Sequence, residues 1–373
     1  MEITNPKQDS KVWPGESNEA FPEVFCHVPP PPKTKKPGQL SQEQIKQFVQ
    51  DGYLIIDDYF DKSELEPVKD WIDDLVDDLA EQLFKAGKIK DLYKDFGTFK
   101  RLTRIDQDYP GANIVLLKRA QQVPKSLQSL WANERLLNLA EQILGPEVWG
   151  NPVWNLRPKV PRDEVTTVPW HQDAAYMDNE SYSQFVLSAW IPFLDATEEN
   201  GCLKFVKGGH RSGKVAKHQC CHGDTFYVRL EKDEMERKLG VDMARDVVAA
   251  PVKYGGFVLF NNIVPHGSTV NFSSDIRWSV DLRWQKPGSS FGLWGLKKGV
   301  EMRSSTNPSV HIDWDTFNEI DRTTLQEQYV NAIMEDEFDT TLHGPWMKQW
   351  EIVHHNRHTA AVRDDPAFWQ LRG

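Results

Sequence analysis

The stretch DIRWSVDLRW, residues 275–284, alternates between polar and apolar side chains from Arg277 onward. Successive side chains of a β-strand point to opposite faces of the sheet, so this alternation predicts a strand. One face carries the polar residues Arg277, Ser279, Asp281 and Arg283. The other face carries Trp278, Val280, Leu282 and Trp284. A polar row facing the inside of a sheet costs free energy unless it lines a site. The stretch therefore predicts a β-fold with a site on its inner face.

The region around this stretch, from about residue 148 to 285, contains many short apolar runs separated by Gly, Pro and Asn. Such spacing is typical of a sandwich or barrel of short strands and not of a βαβ fold. Helices are predicted upstream of it, because Ser41 and Gln44 form a capping box before an apolar stripe that ends at Gly52. Further helices are predicted from Ser63 and over 124–145. We therefore expect an α+β fold whose helices cover one sheet.

The chain divides into three expected segments. Residues 1–39 are proline-rich and irregular, since the run VPPPPKTKKPG at 28–38 forbids helix. Residues 40–290 hold the helices and the strand-rich region. Residues 291–373 have a mixed, largely helical pattern, which we expect to pack on the core as a C-terminal extension.

The composition excludes several classes of partner. A net charge of -11 argues against nucleic acid or an anionic membrane surface. No apolar run approaches the length of a membrane span, the N-terminal residues lack a signal-peptide plan, and WQLRG at 369–373 is not a peroxisomal signal. Four cysteines do not make a disulfide framework, so we expect a cytoplasmic protein without a membrane or nucleic-acid partner.

Three His-x-Asp pairs occur in the chain, namely His171-Gln-Asp173, His222-Gly-Asp224 and His311-Ile-Asp313. Their positions relative to the predicted strands indicate which pair is the candidate metal site. The first pair opens the strand-rich region and is followed 95 residues later by His266. Two histidines and one carboxylate form the facial triad of non-haem iron sites, which leaves the opposite face open. The other pairs lie in a polar stretch and beyond the strands.

Two alternatives stay open at this point. Arg277, eleven residues after His266, is a candidate fork for a carboxylate, but it can instead form a buried ion pair with Asp281. The second alternative is a zinc site, but its spacing fits no standard pattern, and a loop near the mouth of the site is the favoured interpretation. Its residues are His210, His218, Cys220, Cys221 and His222.

Four blocks in order carry a resemblance to a known family. They are LSQEQIKQFVQDGYLII at 40–56, WHQDAAY at 170–176, SAWIPFLDATEENGCLKFVKGGHRSG at 188–213, and HGSTVN at 266–271 followed by Arg277. Together they resemble the phytanoyl-CoA dioxygenase family of iron(II)- and 2-oxoglutarate-dependent oxygenases. The resemblance covers about residues 40–285, roughly two-thirds of the chain.

The resemblance implies a double-stranded β-helix, a cupin-like jelly roll, flanked by N-terminal helices. It implies that His171, Asp173 and His266 bind iron(II). It also implies that the distal carboxylate of 2-oxoglutarate is held in a pocket formed by Arg277, Ser268 and Trp190. The cofactors would be iron(II), 2-oxoglutarate and O2, with ascorbate supportive in vitro. The sequence Lys-Gly-Gly-His at 207–210 departs mildly from the usual Pro-Gly-Ser-His.

The implied reaction is hydroxylation of a small molecule with release of succinate and CO2. Halogenating relatives carry Gly or Ala where this chain has Asp173, so a halogenase is not expected. Desaturation, cyclisation or epimerisation of a natural-product intermediate uses the same ligands and stays open, as does a non-catalytic cupin-like metal-binding protein.

The substrate and the assembly are less defined by the sequence. The inner polar face suits a small polar substrate better than an acyl-CoA. Candidate substrate residues are Asn155, Arg157, Tyr176 and Arg283. Either a monomer or a homodimer is compatible with the sequence.

Overall fold

The structure is a computed structural model that describes residues 16–17, 19–116, 118–119, 122–163, 166–177, 179–219, 227–292 and 297–319. Its α-helices are α1 (Pro22–Phe25), α2 (Gln42–Asp51), α3 (Lys62–Lys85), α4 (Arg101–Asp108), α5 (Ala112–Val115), α6 (Lys125–Trp131), α7 (Glu134–Leu144), α8 (Lys232–Leu239) and α9 (Trp314–Glu319). Short 3-10 helices cover Lys94–Phe96, Asp173–Tyr176 and Asn179–Ser183.

The strands are all short except the one that contains the alternating stretch. They are β1 (Tyr53–Ile56), β2 (Lys118–Arg119), β3 (Val148–Gly150), β4 (Asn155–Lys159), β5 (Val186–Pro192), β6 (Leu203–Val206), β7 (His218–Gln219), β8 (Arg229–Leu230), β9 (Val247–Ala250), β10 (Phe257–Asn261), β11 (His266–Ser268), β12 (Arg277–Gln285) and β13 (Val300–Arg303).

The strands form antiparallel sheets, as expected of the α+β class. The main sheet has eight strands in the order β1-β10-β5-β12-β3-β13, with β4 paired to β12 and β2 paired to β4. A second sheet has the order β11-β6-β9, and β7 pairs with β8. Strand β12 lies at the centre, because it pairs with β5 along one edge and with β4 and β3 along the other.

The two faces of β12 have the predicted difference in polarity. Its apolar side chains, Trp278 to Trp284 at every second position, belong to the largest apolar cluster. That cluster includes buried side chains of the helices, such as Leu127 and Trp131. The indole Nε1 of Trp131 also donates to the backbone oxygen of Arg283 at 3.2 Å. The helices thus cover this face, and the polar row is left to face inward, fully buried.

The helix signals are confirmed in part. Helix α2 has the predicted capping box between Ser41 and Gln44. Gly52 adopts a φ of +84°, and a Cβ there would lie 2.4 Å from Nδ1 of His210, so only glycine fits. Helix α3 begins at Lys62, one residue before Ser63, with Asp61 as its N-cap.

The predicted helix over 124–145 is two helices, α6 and α7. The side chain of Asn133 accepts hydrogen bonds from the backbone nitrogens of Arg135 and Leu136 and caps a new helix there. A capping side chain in the middle of an apolar stripe is therefore the reason why the long prediction was wrong.

The proposed division of the chain stays a prediction. Within the first segment, Phe25 of α1 is 1% exposed, and its ring lies 5.8 Å from that of Phe185. Beyond residue 290, strand β13 pairs with β3 in the main sheet and α9 packs on Trp131 through Phe317. Residues 320–373 lie outside the described part. No helix of the described residues combines the length and apolar character needed to cross a membrane.

Candidate metal and cosubstrate site

The backbone brings the first histidine of the chosen pair against the distant one. His266 opens β11 and forms an isolated antiparallel bridge with His171, with two backbone hydrogen bonds of 2.9 Å. Asp173 follows two residues later, at the start of a 3-10 helix that turns its side chain back towards both imidazoles.

The three side chains form a buried cluster. Nε2 of His171 lies 3.3 Å from Oδ1 of Asp173, and Nε2 of His266 lies 3.7 Å from the same oxygen. All candidate ligand atoms lie within 4.8 Å of one another. Ligands about 2.1 Å from one ion and at right angles are separated by about 3 Å, so the cluster fits a single metal ion.

Hydrogen bonds orient both imidazoles for metal binding. Nδ1 of His171 lies 2.9 Å from the backbone oxygen of Pro169, and Nδ1 of His266 lies 3.0 Å from that of Val264. A carbonyl can only accept, so each Nδ1–H donates and each Nε2 lone pair faces the cluster. Burial, helped by the charge of His171, lowers the pKa of His266 to about 3, which keeps this ligand neutral.

Arg283 fixes the third ligand. Its Nε and Nη2 donate to Oδ2 of Asp173 at 3.2 and 2.7 Å, and its Nη1 donates to the backbone oxygen of Val153 at 2.8 Å. Burial alone would raise the pKa of Asp173, but the charge of Arg283 outweighs it and holds that pKa well below the usual range. Asp173 is therefore ionised, and its Oδ1 remains available to the metal.

A second acid, Asp281, lies beside this pair on β12. Its Oδ2 accepts from Nε of Arg157 at 2.7 Å and from Nδ2 of Asn155 at 3.0 Å, and Nη2 of Arg283 lies 3.7 Å away. Three of the predicted substrate residues, Asn155, Arg157 and Arg283, are thus engaged by carboxylates of the protein itself. The side chain of Arg157 is 17% exposed, more than those of Asn155 and Arg283.

Arg277, at the other end of the polar row, is a buried cation without an acidic partner in the described residues. It is 2% exposed, its guanidinium lies 4.8 Å over the ring of Trp190, and its Nη1 donates to Ser279 at 3.2 Å. Within the described part of the chain, its Nε has no hydrogen-bond partner. Burial, followed by the charge of Arg157, lowers the pKa of Arg277 to about 9. The alternative pair with Asp281 is absent, and the site fits a carboxylate ligand.

The remaining predicted residues lie nearby. Ser268 ends β11, two residues after His266, and is 3% exposed. Trp190 is buried on β5, opposite Asp281. The hydroxyl of Tyr176 accepts from the backbone nitrogen of Val228 at 3.0 Å, and its ring meets that of His171 edge-on, 5.4 Å away.

Two buried residues of the site, Gln172 and Lys159, were missed by the sequence reasoning, and His218 was considered only for a zinc site. Gln172, between the two ligands, receives a hydrogen bond at its side-chain oxygen from Ala216, and its backbone nitrogen donates to Nε2 of His218 at 2.9 Å. These contacts join segments that are far apart in sequence, so no local sequence pattern predicts them. Lys159 is different, because it continues the alternation of Asn155 and Arg157 along β4 and could have been found.

The other histidine motifs have other roles. His311 and Asp313 are exposed, and Oδ1 of Asp313 accepts from the backbone nitrogen of Thr316 at the start of α9. His210 is buried and its Nε2 donates to the backbone oxygen of Val49 at 2.8 Å. His222, with Cys220 and Cys221 of the suggested zinc site, lies outside the described residues. Among those described, the group His171, Asp173 and His266 has the donors for a metal.

A buried two-histidine, one-carboxylate triad within antiparallel sheets defines the class of mononuclear non-haem iron proteins. Comparison narrows this class, because the family model described as phytanoyl-CoA dioxygenase (PhyH) matches residues 48–279. The chain belongs to the phytanoyl-CoA dioxygenase family, and iron(II) and 2-oxoglutarate are its cofactors.

Individual relatives match the chain with low sequence identity or over only part of its length. Phytanoyl-CoA dioxygenase domain-containing protein 1 of Danio rerio is 34% identical over 107 residues, which are 28% of this chain and 34% of that protein. The match thus spans about a third of that relative. Ectoine dioxygenase of Bordetella parapertussis is 26% identical, covering 63% of this chain and 71% of that protein. The solved structure of EctD from S. alaskensis with 2-oxoglutarate and 5-hydroxyectoine has a TM-score of 0.47 and 18% identity, covering 76% of this chain and 86% of that chain.

Proposed function

We propose that the protein is an Fe(II)- and 2-oxoglutarate-dependent dioxygenase that hydroxylates a small molecule and releases succinate and CO2. The observation that carries the proposal is the buried triad, with its ionised Asp173, beside a buried arginine that has no carboxylate partner in the described residues. Membership of the phytanoyl-CoA dioxygenase family supports it. The expected jelly-roll arrangement, or double-stranded β-helix, is part of this proposal.

Each residue has a defined part in the proposed site. His171, Asp173 and His266 hold the iron, and Arg277 with Ser268 binds the distal carboxylate of 2-oxoglutarate against Trp190. When bound, iron with 2-oxoglutarate and O2 supplies the oxidant that removes hydrogen from the substrate. The chain supplies fixed ligand geometry, through Arg283 and the two backbone carbonyls, and buried surroundings that exclude water.

Asp173 supports hydroxylation over halogenation. Its Oδ1 faces both histidines while Arg283 holds Oδ2, so a carboxylate occupies the position that a halide would need. In a buffer containing chloride, we expect a product heavier by one oxygen atom and no chlorinated product.

The substrate in this proposal is a small polar molecule. Among the predicted substrate residues, Arg157 combines a partly exposed side chain with a direct hydrogen bond to Asp281, beside the triad. Asn155, Tyr176 and Arg283 act beside it, by holding Asp281, packing on His171 and holding Asp173, respectively. A cytoplasmic location and a monomeric or homodimeric state remain predictions from the sequence.

The direct test is a metabolite screen by mass spectrometry with iron(II), ascorbate and 2-oxoglutarate. We expect a gain of one oxygen atom in the substrate and stoichiometric succinate. His171→Ala is expected to lose both bound iron and turnover, whereas His311→Ala, in the exposed pair, keeps both. A His171→Ala protein with full turnover would contradict the assignment of His171 as an iron ligand and, with it, the proposed function.

The same screen separates the alternatives. Loss of two hydrogens from the substrate would indicate desaturation or ring closure, and an unchanged mass with altered retention would indicate epimerisation. A metal-loaded protein that never consumes 2-oxoglutarate would indicate a binding protein without catalysis.

A further inference from the structure

Lys159 is a second buried cation next to Arg277. It is 1% exposed, and its Cα lies opposite that of Arg277 in the pairing of β4 with β12. Among the described residues it has no ion pair with a carboxylate. Its Nζ instead donates to the backbone oxygen of Thr166 at 3.0 Å, to Oγ1 of Thr167 at 3.3 Å and to Oγ of Ser268 at 3.0 Å. An ammonium group has three protons, and these three acceptors match them.

The contact with Ser268 fixes the direction of a hydroxyl proton. Oγ of Ser268 also accepts from the backbone nitrogen of Val168 at 3.0 Å, and a backbone N–H can only donate. With two donors on its two lone pairs, the hydroxyl has its own proton left to donate. Ser268 is the residue expected to hydrogen-bond the distal carboxylate of 2-oxoglutarate, and a carboxylate is the natural acceptor for that proton.

The fold makes room for this lysine. A Cβ on Gly201 would lie 2.3 Å from Cε and 2.7 Å from Cδ of Lys159, and Gly201 has a φ of +87°. The aliphatic stem of Lys159 therefore lies directly over the Asn200-Gly201 turn, where no other residue fits. This close approach of Gly201 indicates that the position of the Lys159 side chain is specified by the fold.

Electrostatics explain why an anion is needed here. Burial, followed by the charge of Arg277, lowers the pKa of Lys159 well below its usual value. Two adjacent buried cations repel each other and lack solvent, so an anionic group near both relieves the unfavourable interaction. The distal carboxylate of 2-oxoglutarate is such a group.

We propose that Lys159 is a positioning residue for the cosubstrate. It holds the hydroxyl of Ser268 so that its proton points to the carboxylate bound by Arg277, and it adds a second positive charge behind that hydroxyl. The site thereby selects 2-oxo acids with a distal carboxylate over those without one. This inference rests on the proposed assignment of 2-oxoglutarate to Arg277 and Ser268.

The test measures binding and turnover separately. In Lys159→Met the side chain keeps its shape and loses its charge, and Lys253→Met, a surface lysine that is 73% exposed, is the control. Dissociation constants for 2-oxoglutarate and for 2-oxopentanoate, which lacks the distal carboxylate, are measured by calorimetry on manganese-loaded protein without oxygen. KM and kcat for 2-oxoglutarate come from succinate release.

For Lys159→Met we expect 2-oxoglutarate to bind about 10- to 100-fold more weakly, with a matching rise in KM and a kcat within about threefold of the wild type. Affinity for 2-oxopentanoate should be unchanged, and Lys253→Met should match the wild type. Equal weakening of both acids, or no weakening of either, would overturn the inference, because it would leave Lys159 with a packing role or none.

Two further measurements keep the result decisive. If Lys159→Met does not fold, Lys159→Gln removes the charge and keeps a hydrogen-bonding group, with the same expectations. In a cycle with Ser268→Ala, the second substitution should cost less than it does alone, since the two residues act together. A wild-type, metal-loaded protein that does not bind 2-oxoglutarate contradicts the proposed function itself, which is a different outcome from a Lys159 variant that binds it normally.

Discussion

The two ends of the inner face of β12 differ in how their charges are balanced. Towards residue 283, Arg283 pairs with Asp173 and Arg157 pairs with Asp281, so two cations meet two carboxylates. Towards residue 277, Arg277 and its neighbour Lys159 are equally buried, but no carboxylate of the described residues pairs with them. The same sheet thus has one end whose charges are balanced within the protein and one end whose cations have no carboxylate partner among the described residues.

This difference separates the structural charges from the ligand-binding ones. A buried charge without a partner is costly, so a fold keeps it only where something compensates. At the paired end the compensation is internal, and its product is a fixed carboxylate for the metal. In the function we propose, the compensation at the unpaired end comes from the cosubstrate, and the cation is then a binding residue.

The largest effect is expected from Arg277→Leu. The variant should bind 2-oxoglutarate about 10³-fold more weakly, because a buried, charge-assisted contact worth about 4 kcal/mol is lost. Without ligand it should be more stable than the wild type by about 1–3 kcal/mol, since an uncompensated buried charge has been removed. Calorimetry measures the first quantity and urea unfolding of the apo protein measures the second.

A loss of apo stability in Arg277→Leu would break the comparison, because it would show that Arg277 has a stabilising partner within the chain. Metal affinity serves as the internal control. It should stay within about twofold of the wild type, since Arg277 contacts none of the triad residues.

Arg283→Leu should act in the opposite direction on stability. It leaves Asp173 buried without its cation, so the free energy of unfolding should fall by about 3 kcal/mol and metal affinity by about 10- to 100-fold. Arg303→Leu is the matched control, because Arg303 pairs with Glu134, whose side chain is 71% exposed, and such a pair contributes about 1 kcal/mol or less. Equal effects of the two arginine variants would show that burial of the pair is irrelevant.

The local features of this architecture could be read from the sequence. The alternation of 277–284 predicts the central strand and its polar face, and Ser41 with Gln44 predicts the start of α2. The order of His171, Asp173 and His266 within a strand-rich region predicts the cluster that the structure brings together. These signals depend on strand period and on spacing along the chain.

Contacts across the sheet could not be read in the same way. Arg283 was a candidate substrate residue, and its contact with Asp173 could not be predicted, because it depends on the end of β12 lying against the turn that follows His171. The roles of Gln172 and His218 depend on two distant segments meeting, which no periodicity encodes. Lys159 lies between these cases: its face follows from alternation along β4, whereas its contact with Ser268 needs the fold.

The smallest expected effect concerns Tyr176, at the paired end. Its hydroxyl accepts the backbone N–H of Val228, which is buried, so Tyr176→Phe leaves that donor unpaired and should lower the free energy of unfolding by about 1 kcal/mol. The ring remains against His171, and metal and 2-oxoglutarate affinities should therefore be unchanged. Urea unfolding and 2-oxoglutarate consumption without substrate measure these quantities. If the variant instead keeps full stability and raises KM for the identified substrate, Tyr176 belongs to the ligand-binding residues, and the paired end is then open to substrate as well.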